Sequence, residues 1–171
     1  MEREILTDMI EKYRGVVFRA ALGYIKNIHD ADDIAQNVFV KLMEKNKTFL
    51  SEEEKKAWLI RVAINEAKNL LKSAWFKKRA DLETLDESLA NPAGDNFKLH
   101  DYIKGLKPKY RTVIFLHYYE GYTAKEIAGI LKIPQSTVLT QLQRAREQLK
   151  IIITKEENYH GKSNTKLQGI I

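Results

Sequence analysis

Residues 119–149 read YEGYTAKEIAGILKIPQSTVLTQLQRAREQL, and the order of stop and start signals in this stretch decides the fold. Gly121 supplies the left-handed turn that ends one helix, and Thr123 with Glu126 three residues on forms a capping box for the next. That next helix is short. Ala128, small enough for close helix contact, and Val138 ten residues later stand at the spacing of a DNA-binding helix-turn-helix, with Lys132, Ile133 and Pro134 as the turn. Pro134 is tolerated because the first turn of a helix has free amides in any case. At ~100° per residue Val138, Leu142, Ala145 and Leu149 share one face. Ser136, Thr140, Gln143 and Glu147 lie opposite, flanked by Leu139 and Arg144. That outer face suits a major groove: hydroxyls and amides bond to base edges or phosphates, Leu139 meets a thymine methyl, and Arg144 and Arg146 take phosphate or guanine. The plainer alternative is a helical hairpin with a solvated polar face.

Outward from this stretch, apolar residues keep helical spacing and period-two alternation is absent, so the expected fold is all-α. Towards the amino terminus come a helix from Pro108 to Tyr119 and a short one near Leu99 to Gly105. Before them, residues 80–98 change to acids, Asn, Pro and Gly (NPAGDN) with few apolar anchors, the composition of a flexible linker. Further back, a long helix is expected from about Ser51, which pairs with Glu54 as a capping box, to about Phe76, with a bend or restart before Trp58. Its buried stripe would be Leu59, Val62, Ala63, Ala67, Leu70, Leu71 and Ala74. A helix capped by Asp30 would bury Ala31, Ile34, Ala35, Val38, Phe39, Leu42 and Met43. The first helix, Glu4 to Lys26, would bury Met9, Tyr13, Val17, Ala20 or Ala21, and Tyr24.

Two further surfaces carry chemistry. Opposite the stripe of the third helix stand Arg61, Asn65, Lys68, Asn69, Lys72 and Trp75, an interleaving of cations, amides and a ring that suits single-stranded nucleic acid. A solvated lysine face is the bland alternative. The second helix turns Asp32, Asp33, Gln36, Asn37 and Lys41 outward, an acidic and amide-rich patch that fits a basic protein partner. Asp30, Asp32 and Asp33 are clustered, but the glycine and terminal Glu of a calcium loop are missing, so no metal is expected.

The charge follows the same division. The 171 residues carry a net +6, distributed as +4 over residues 1–79, −4 over 80–98, +5 over 99–150 and +1 over 151–171. Two basic blocks flank an acidic connector, and the net positive charge suits a polyanionic partner, though by itself it is common among soluble proteins. There is no cysteine, which excludes disulfides and thiolate metal sites. The amino terminus lacks the apolar core of a signal peptide, and no run reaches the ~18 apolar residues of a membrane helix. A cytoplasmic location without direct membrane insertion is the expectation.

In this order and spacing the three stretches resemble the sigma-70 family of bacterial transcription factors, specifically its small extracytoplasmic-function group, over roughly residues 5–150. DADDIAQNVFVKL resembles region 2.2, WLIRVAINEAKNLLKSAWFKKR regions 2.3 and 2.4, and LKPKYRTVIFLHYYEGYTAKEIAGILKIPQSTVLTQLQRAREQL region 4. The resemblance implies two small helical domains, a region 2 bundle over 1–79 and a region 4 helix-turn-helix over 99–150. The linker 80–98 joins them, and the tail 151–171 has no assigned role. It implies that Asp32, Asp33, Gln36 and Asn37 contact the β′ coiled coil of core RNA polymerase. Arg61, Asn65, Lys68, Asn69, Lys72 and Trp75 would lie along the opened minus 10 strand. Ser136, Leu139, Thr140, Gln143, Arg144 and Arg146 would face the minus 35 duplex, while region 4 also touches the β flap. An anti-sigma factor is an expected partner; a cofactor or small-molecule substrate is not. The sequence departs from the family pattern at Asn37, usually an acid, at Lys132 or Ser136, usually a glycine, and at Leu139 and Gln141, usually basic.

Two other function classes compete. A stand-alone helix-turn-helix regulator would bind duplex tightly without polymerase, and a helical adaptor would show no steep salt dependence with DNA. An enzyme is not expected: His29, His100, His117 and His160 are scattered, and no nucleophile elbow, HExxH or phosphate-binding glycine loop occurs.

Overall fold

A computed structural model describes residues 3–80 and 103–160. The chain divides into two compact units, Met1–Ala90 and Asn91–Ile171, and the division falls inside the acidic stretch. Residues 81–98 of the expected linker, the start of the helix expected near Leu99, and the tail beyond His160 lie outside the described residues.

The first unit holds α1 (Arg3–Ile25), α2 (Ile28–Lys45) and α3 (Glu52–Ala80), each packed on the other two. Val17, Ala20 and Ala21 of α1 meet Ala31, Ala35, Val38 and Leu42 of α2 and Leu59, Ile60, Ala63 and Ala67 of α3, all buried. Alanines at so many contacts let the helix axes approach closely. Lys26, in the left-handed conformation at φ 64°, ends α1. The cap of α2 is Asn27, not Asp30: its side-chain oxygen accepts the Asp30 amide at 3.0 Å, so the cap lies three residues earlier than the sequence indicates. Both residue types cap equally well, and the one that leaves Ile28 inside the helix wins.

α3 is continuous, with no restart before Trp58. Ser51 Oγ accepts the Glu54 amide at 3.1 Å, and Glu54 reaches back to the Leu50 amide at 2.8 Å. The buried stripe is also corrected. It consists of Trp58, Leu59, Ile60, Ala63, Ile64 and Ala67, whereas Leu70 and Ala74 are exposed and Val62 and Leu71 half-buried. Met43 of α2, expected inside, is 40 % exposed.

Glu52, first residue of α3, ties it to α1. Its carboxylate accepts from Lys12 Nζ at 2.6 Å, from the Tyr13 hydroxyl and from Lys55. Those donors, Lys12 foremost, hold its pKa down at about 2. A carboxyl depressed in the folded state stabilises above its ordinary pKa of about 4.3, and the contribution is lost as pH falls through the folded value. Glu52→Gln is therefore expected to lower stability at pH 7, and the gap to wild type to close between about pH 4.5 and 2. Denaturant melts at both pH values check this; a gap unchanged at pH 2 would contradict it.

The second unit holds α4 (Pro108–Ile114), a π-helix (Phe115–Tyr119), α5 (Ala124–Leu131) and α6 (Gln135–His160). The helix expected over Pro108–Tyr119 thus changes register halfway. The Glu120 amide bonds to the Phe115 carbonyl at 3.1 Å and the Tyr122 amide to the Leu116 carbonyl at 3.0 Å. Gly121 follows in the left-handed region at φ 74°. The capping box of α5 is complete: the Thr123 amide donates to Glu126 at 2.8 Å and the Glu126 amide to Thr123 Oγ1 at 3.3 Å. Lys132, at φ 54°, closes α5 as a left-handed cap, and the Ile133 amide returns to Ala128 O at 3.1 Å. The Pro134 carbonyl then accepts the Thr137 and Val138 amides, so Pro134 stands at the cap of α6, where its missing amide costs nothing. Buried Arg111 donates to the Leu106 carbonyl. Against Val113, Ile114 and Leu116 pack Ile127, Ile130, Val138, Leu142, Ala145 and Leu149.

Candidate nucleic-acid interface

The helix-turn-helix holds its apolar face as expected: Val138, Leu142, Ala145 and Leu149 are buried, and Ser136, Leu139, Thr140, Gln143 and Arg144 are exposed. Leu139 is 52 % exposed, a large apolar side chain held on an otherwise polar face. Thr140 Oγ1 donates to Ser136 O at 2.9 Å, and Gln143 Nε2 to Glu147 at 3.1 Å. The threonine oxygen and the glutamine carbonyl keep acceptor capacity towards an outside donor. Arg144 projects beside Lys109 and Tyr110 of α4, which line a shallow hollow of about 220 Å³ with Ser136, Thr137, Thr140 and Gln141. Lys109 is thus a cation of this surface that sequence reading missed. Its only signal is a basic residue directly after Pro108.

Arg146 is placed differently from the other expected contacts. It is half-buried, its Nε donates to the Tyr118 hydroxyl at 2.8 Å, and its guanidinium lies 5.9 Å from the centre of that ring. The contact joins α6 to the π-helix within the unit.

On α3, Asn65, Lys68, Asn69 and Lys72 are exposed along one face, Trp75 is 55 % exposed at its end, and Arg61 is half-buried at its start. Cations four apart repel across one turn, an arrangement that a polyanion laid along the face relieves. Just before α3, Lys47 covers the rings of Phe49 and Trp58, and Leu50 is wholly exposed at the tip of the loop.

On α2, the acidic patch separates into two parts. Asp32 is half-buried and engaged: Arg14 donates to one carboxylate oxygen at 2.7 Å and Gln36 to the other at 3.0 Å. These donors, Arg14 first, hold its pKa below the usual carboxylate range. Asp33 and Asn37 are exposed, and Val40 and Met43 continue their face as exposed apolar residues. Val40 and Met43 border a groove with Ile10 and Phe39. Apolar centres with a polar surround are the anatomy of protein interfaces. Among the described residues no group of three metal-binding side chains occurs, and no helix is long and apolar enough to cross a membrane.

Comparison with known proteins follows the same division. Residues 9–77 match the family model for Sigma-70 region 2, and residues 96–149 that for Sigma-70, region 4. RNA polymerase sigma factor SigV of Bacillus subtilis is 30 % identical over 158 residues, covering 91 % of this chain and 95 % of SigV. The ECF RNA polymerase sigma factor SigW of the same organism is 27 % identical, covering 87 % and 89 %. In fold, the chain is similar to the sigma factor RpoE of Bartonella quintana solved with the anti-sigma factor NepR, at TM-score 0.75 and 20 % identity over 86 % of this chain and 96 % of that one. CnrH, solved with the cytosolic domain of CnrY, gives TM-score 0.65 at 19 % identity over 90 % of each. A chain that matches both family regions in this order, with a relative this similar along nearly its whole length, belongs to the sigma-70 family as an extracytoplasmic-function sigma factor of promoter-specific transcription initiation.

Proposed function

We propose the following division of labour within that function. Residues 1–79 act as region 2: Asp33, Gln36 and Asn37, extended by Val40 and Met43, dock on the β′ coiled coil of core polymerase, while Asp32 orders Gln36. Asn65, Lys68, Asn69 and Lys72, with Arg61 and Trp75 at the two ends, follow the separated minus 10 strand. Residues 99–150 act as region 4: Ser136, Leu139, Thr140, Gln143 and Arg144, joined by Lys109, face the minus 35 duplex, and the unit contacts the β flap. Arg146 serves this face from behind, through Tyr118. Residues 80–98 link the two.

The observation that carries this reading is the segregation of charge by helix face. The first unit turns exposed cations outward on α3 and exposed acid and amides on α2, so that one domain suits nucleic acid and a basic protein surface together. Each unit is expected to bind weakly alone; polymerase fixes their separation and converts two weak contacts into one specific one through effective concentration. The chain does no covalent chemistry itself and works in the cytoplasm. RpoE and CnrH are described with NepR and CnrY bound, and an anti-sigma partner is proposed here too.

Reconstituted transcription tests the reading. Core polymerase with the purified chain, on a fragment library of the source genome, is expected to start RNA at new positions sharing an upstream and a downstream element. Start sites identical with and without the chain would overturn it.

A further inference from the structure

Glu66 is out of keeping with the helix that carries it. From residue 55 to residue 79 the sequence has eight Lys or Arg and a single acid, Glu66, next to Asn65 and one turn from Asn69 of the exposed α3 face. Its own helix cannot neutralise it. The positions three and four residues away hold Val62, Ala63, Asn69 and Leu70, and Lys68, two residues on, points elsewhere around the helix. The charge is met from α2 instead: Lys41 Nζ donates to the Glu66 carboxylate, with the two side chains 39 % and 25 % exposed. Lys41 has an acid at i+3 in its own helix, Glu44, yet its ammonium goes to α3. Thus Lys41, expected on the outward patch with Asp33 and Asn37, is half-buried and serves the other helix.

We propose that Lys41 is a positioning residue for strand binding: it masks Glu66, so that the separated strand meets an α3 face free of competing negative charge. The inference rests on the reading of α3 as the single-strand face and adds to it a residue of α2 that touches no nucleotide. An ammonium and a carboxylate in contact present almost no net charge to a phosphate farther off. Without Lys41 the carboxylate stands alone, and it repels every phosphate within a Debye length, about 10 Å at 0.1 M salt. Strand binding along Lys68 and Lys72 draws on the counterions that the phosphates release, and an unpaired acid beside those lysines cancels part of that gain. The alternative role for the pair is a plain tie between α2 and α3. A tie predicts a lower melting temperature when it is cut, and strand binding indifferent to whether Glu66 carries a charge.

The test uses the full chain with core polymerase on a promoter fork whose nontemplate strand is single, bound across a salt series. Lys41→Met is expected to weaken fork binding about three- to tenfold at 0.1 M salt, by an amount that shrinks as salt rises. Glu66→Gln is expected to bind at least as well as wild type. The double variant is expected to return to the wild-type level, since it has no acid left to mask. Affinity for core polymerase, titrated separately, is expected to fall in none of the three. Lys41→Gln keeps a hydrogen bond to Glu66 without the charge; it is expected to lose as much fork binding as Lys41→Met and keeps the test valid if that variant folds poorly. A double variant as weak as Lys41→Met would overturn the mask and give Lys41 a contact of its own. Glu66→Gln weaker than wild type would also overturn it, making Glu66 itself a strand contact. Lys68→Ala separates the two readings: if it weakens fork binding while the Lys41 variants do not, the α3 face survives and the mask alone fails. If none of them has an effect, both fall.

Discussion

Asp33→Arg is expected to abolish co-purification of the chain with core polymerase while leaving the melting transition in place. Asp33 is exposed on α2 and is not part of the Arg14–Asp32–Gln36 cluster, so its replacement disturbs no internal contact described above. Placing a cation against a basic docking surface removes an attraction and adds a repulsion. Disrupting a charge pair of this kind costs roughly 2–5 kcal/mol, or about 30- to 3,000-fold in affinity. Surface substitutions of this sort usually change stability within about 0.5 kcal/mol. Asp32 would be a poorer probe, because losing it also frees Arg14 and Gln36. Titration of labelled polymerase, paired with a thermal melt, separates the outcomes. Unchanged affinity would remove Asp33 from the docking face, and a collapsed melt would assign it to the fold.

The second large effect concerns region 4. Arg144→Ala is expected to weaken binding to the upstream element by about 1–3 kcal/mol and to relax sequence preference at one position, as loss of a bidentate base contact does. A contact to phosphate alone would instead weaken all sequences alike and reduce the salt slope by about one. Arg146→Ala gives the contrast. Because Arg146 bonds to Tyr118 and lies against its ring, its removal is expected to lower the melting temperature of the unit more than it alters sequence preference. Selection of bound sequences from a randomised upstream element, with holoenzyme, measures both. An Arg144→Ala profile indistinguishable from wild type would take that residue off the reading face.

Much of the fold was legible because the apolar repeats of α2 and α6 are strict and their punctuation is chemical. Thr123 and Glu126 can make a reciprocal cap, Gly121 can turn left-handed, and the structure realises both. What failed had no signature in the residues concerned. Leu70 and Ala74 repeat at the core spacing, but periodicity cannot say where neighbouring helices stop covering a face, and both are exposed. Met43 fails for a related reason: an apolar residue at the edge of a stripe serves a core or a partner equally well. The cap of α2 lay between Asn27 and Asp30, two good capping residues with an isoleucine and a histidine between them. For the candidate sites, residue type and face sufficed to bring out the exposed members. Engagement was invisible in the sequence, as with Asp32 held by Arg14 eighteen residues away and Arg146 by Tyr118.

The π-helix at Phe115–Tyr119 has a bearing on how this region can change length. A turn closed by i→i+5 bonds accommodates one residue more than the α-helical turn it replaces. Loss of a single residue there would let the ladder return to ordinary spacing without swinging α5 and α6 out of phase, whereas the same loss within α6 would rotate everything after it by about 100°. The wide turn is therefore a slack link: deletion of one residue can be absorbed at this point, and the part that suffers is the aim of Tyr118 at Arg146.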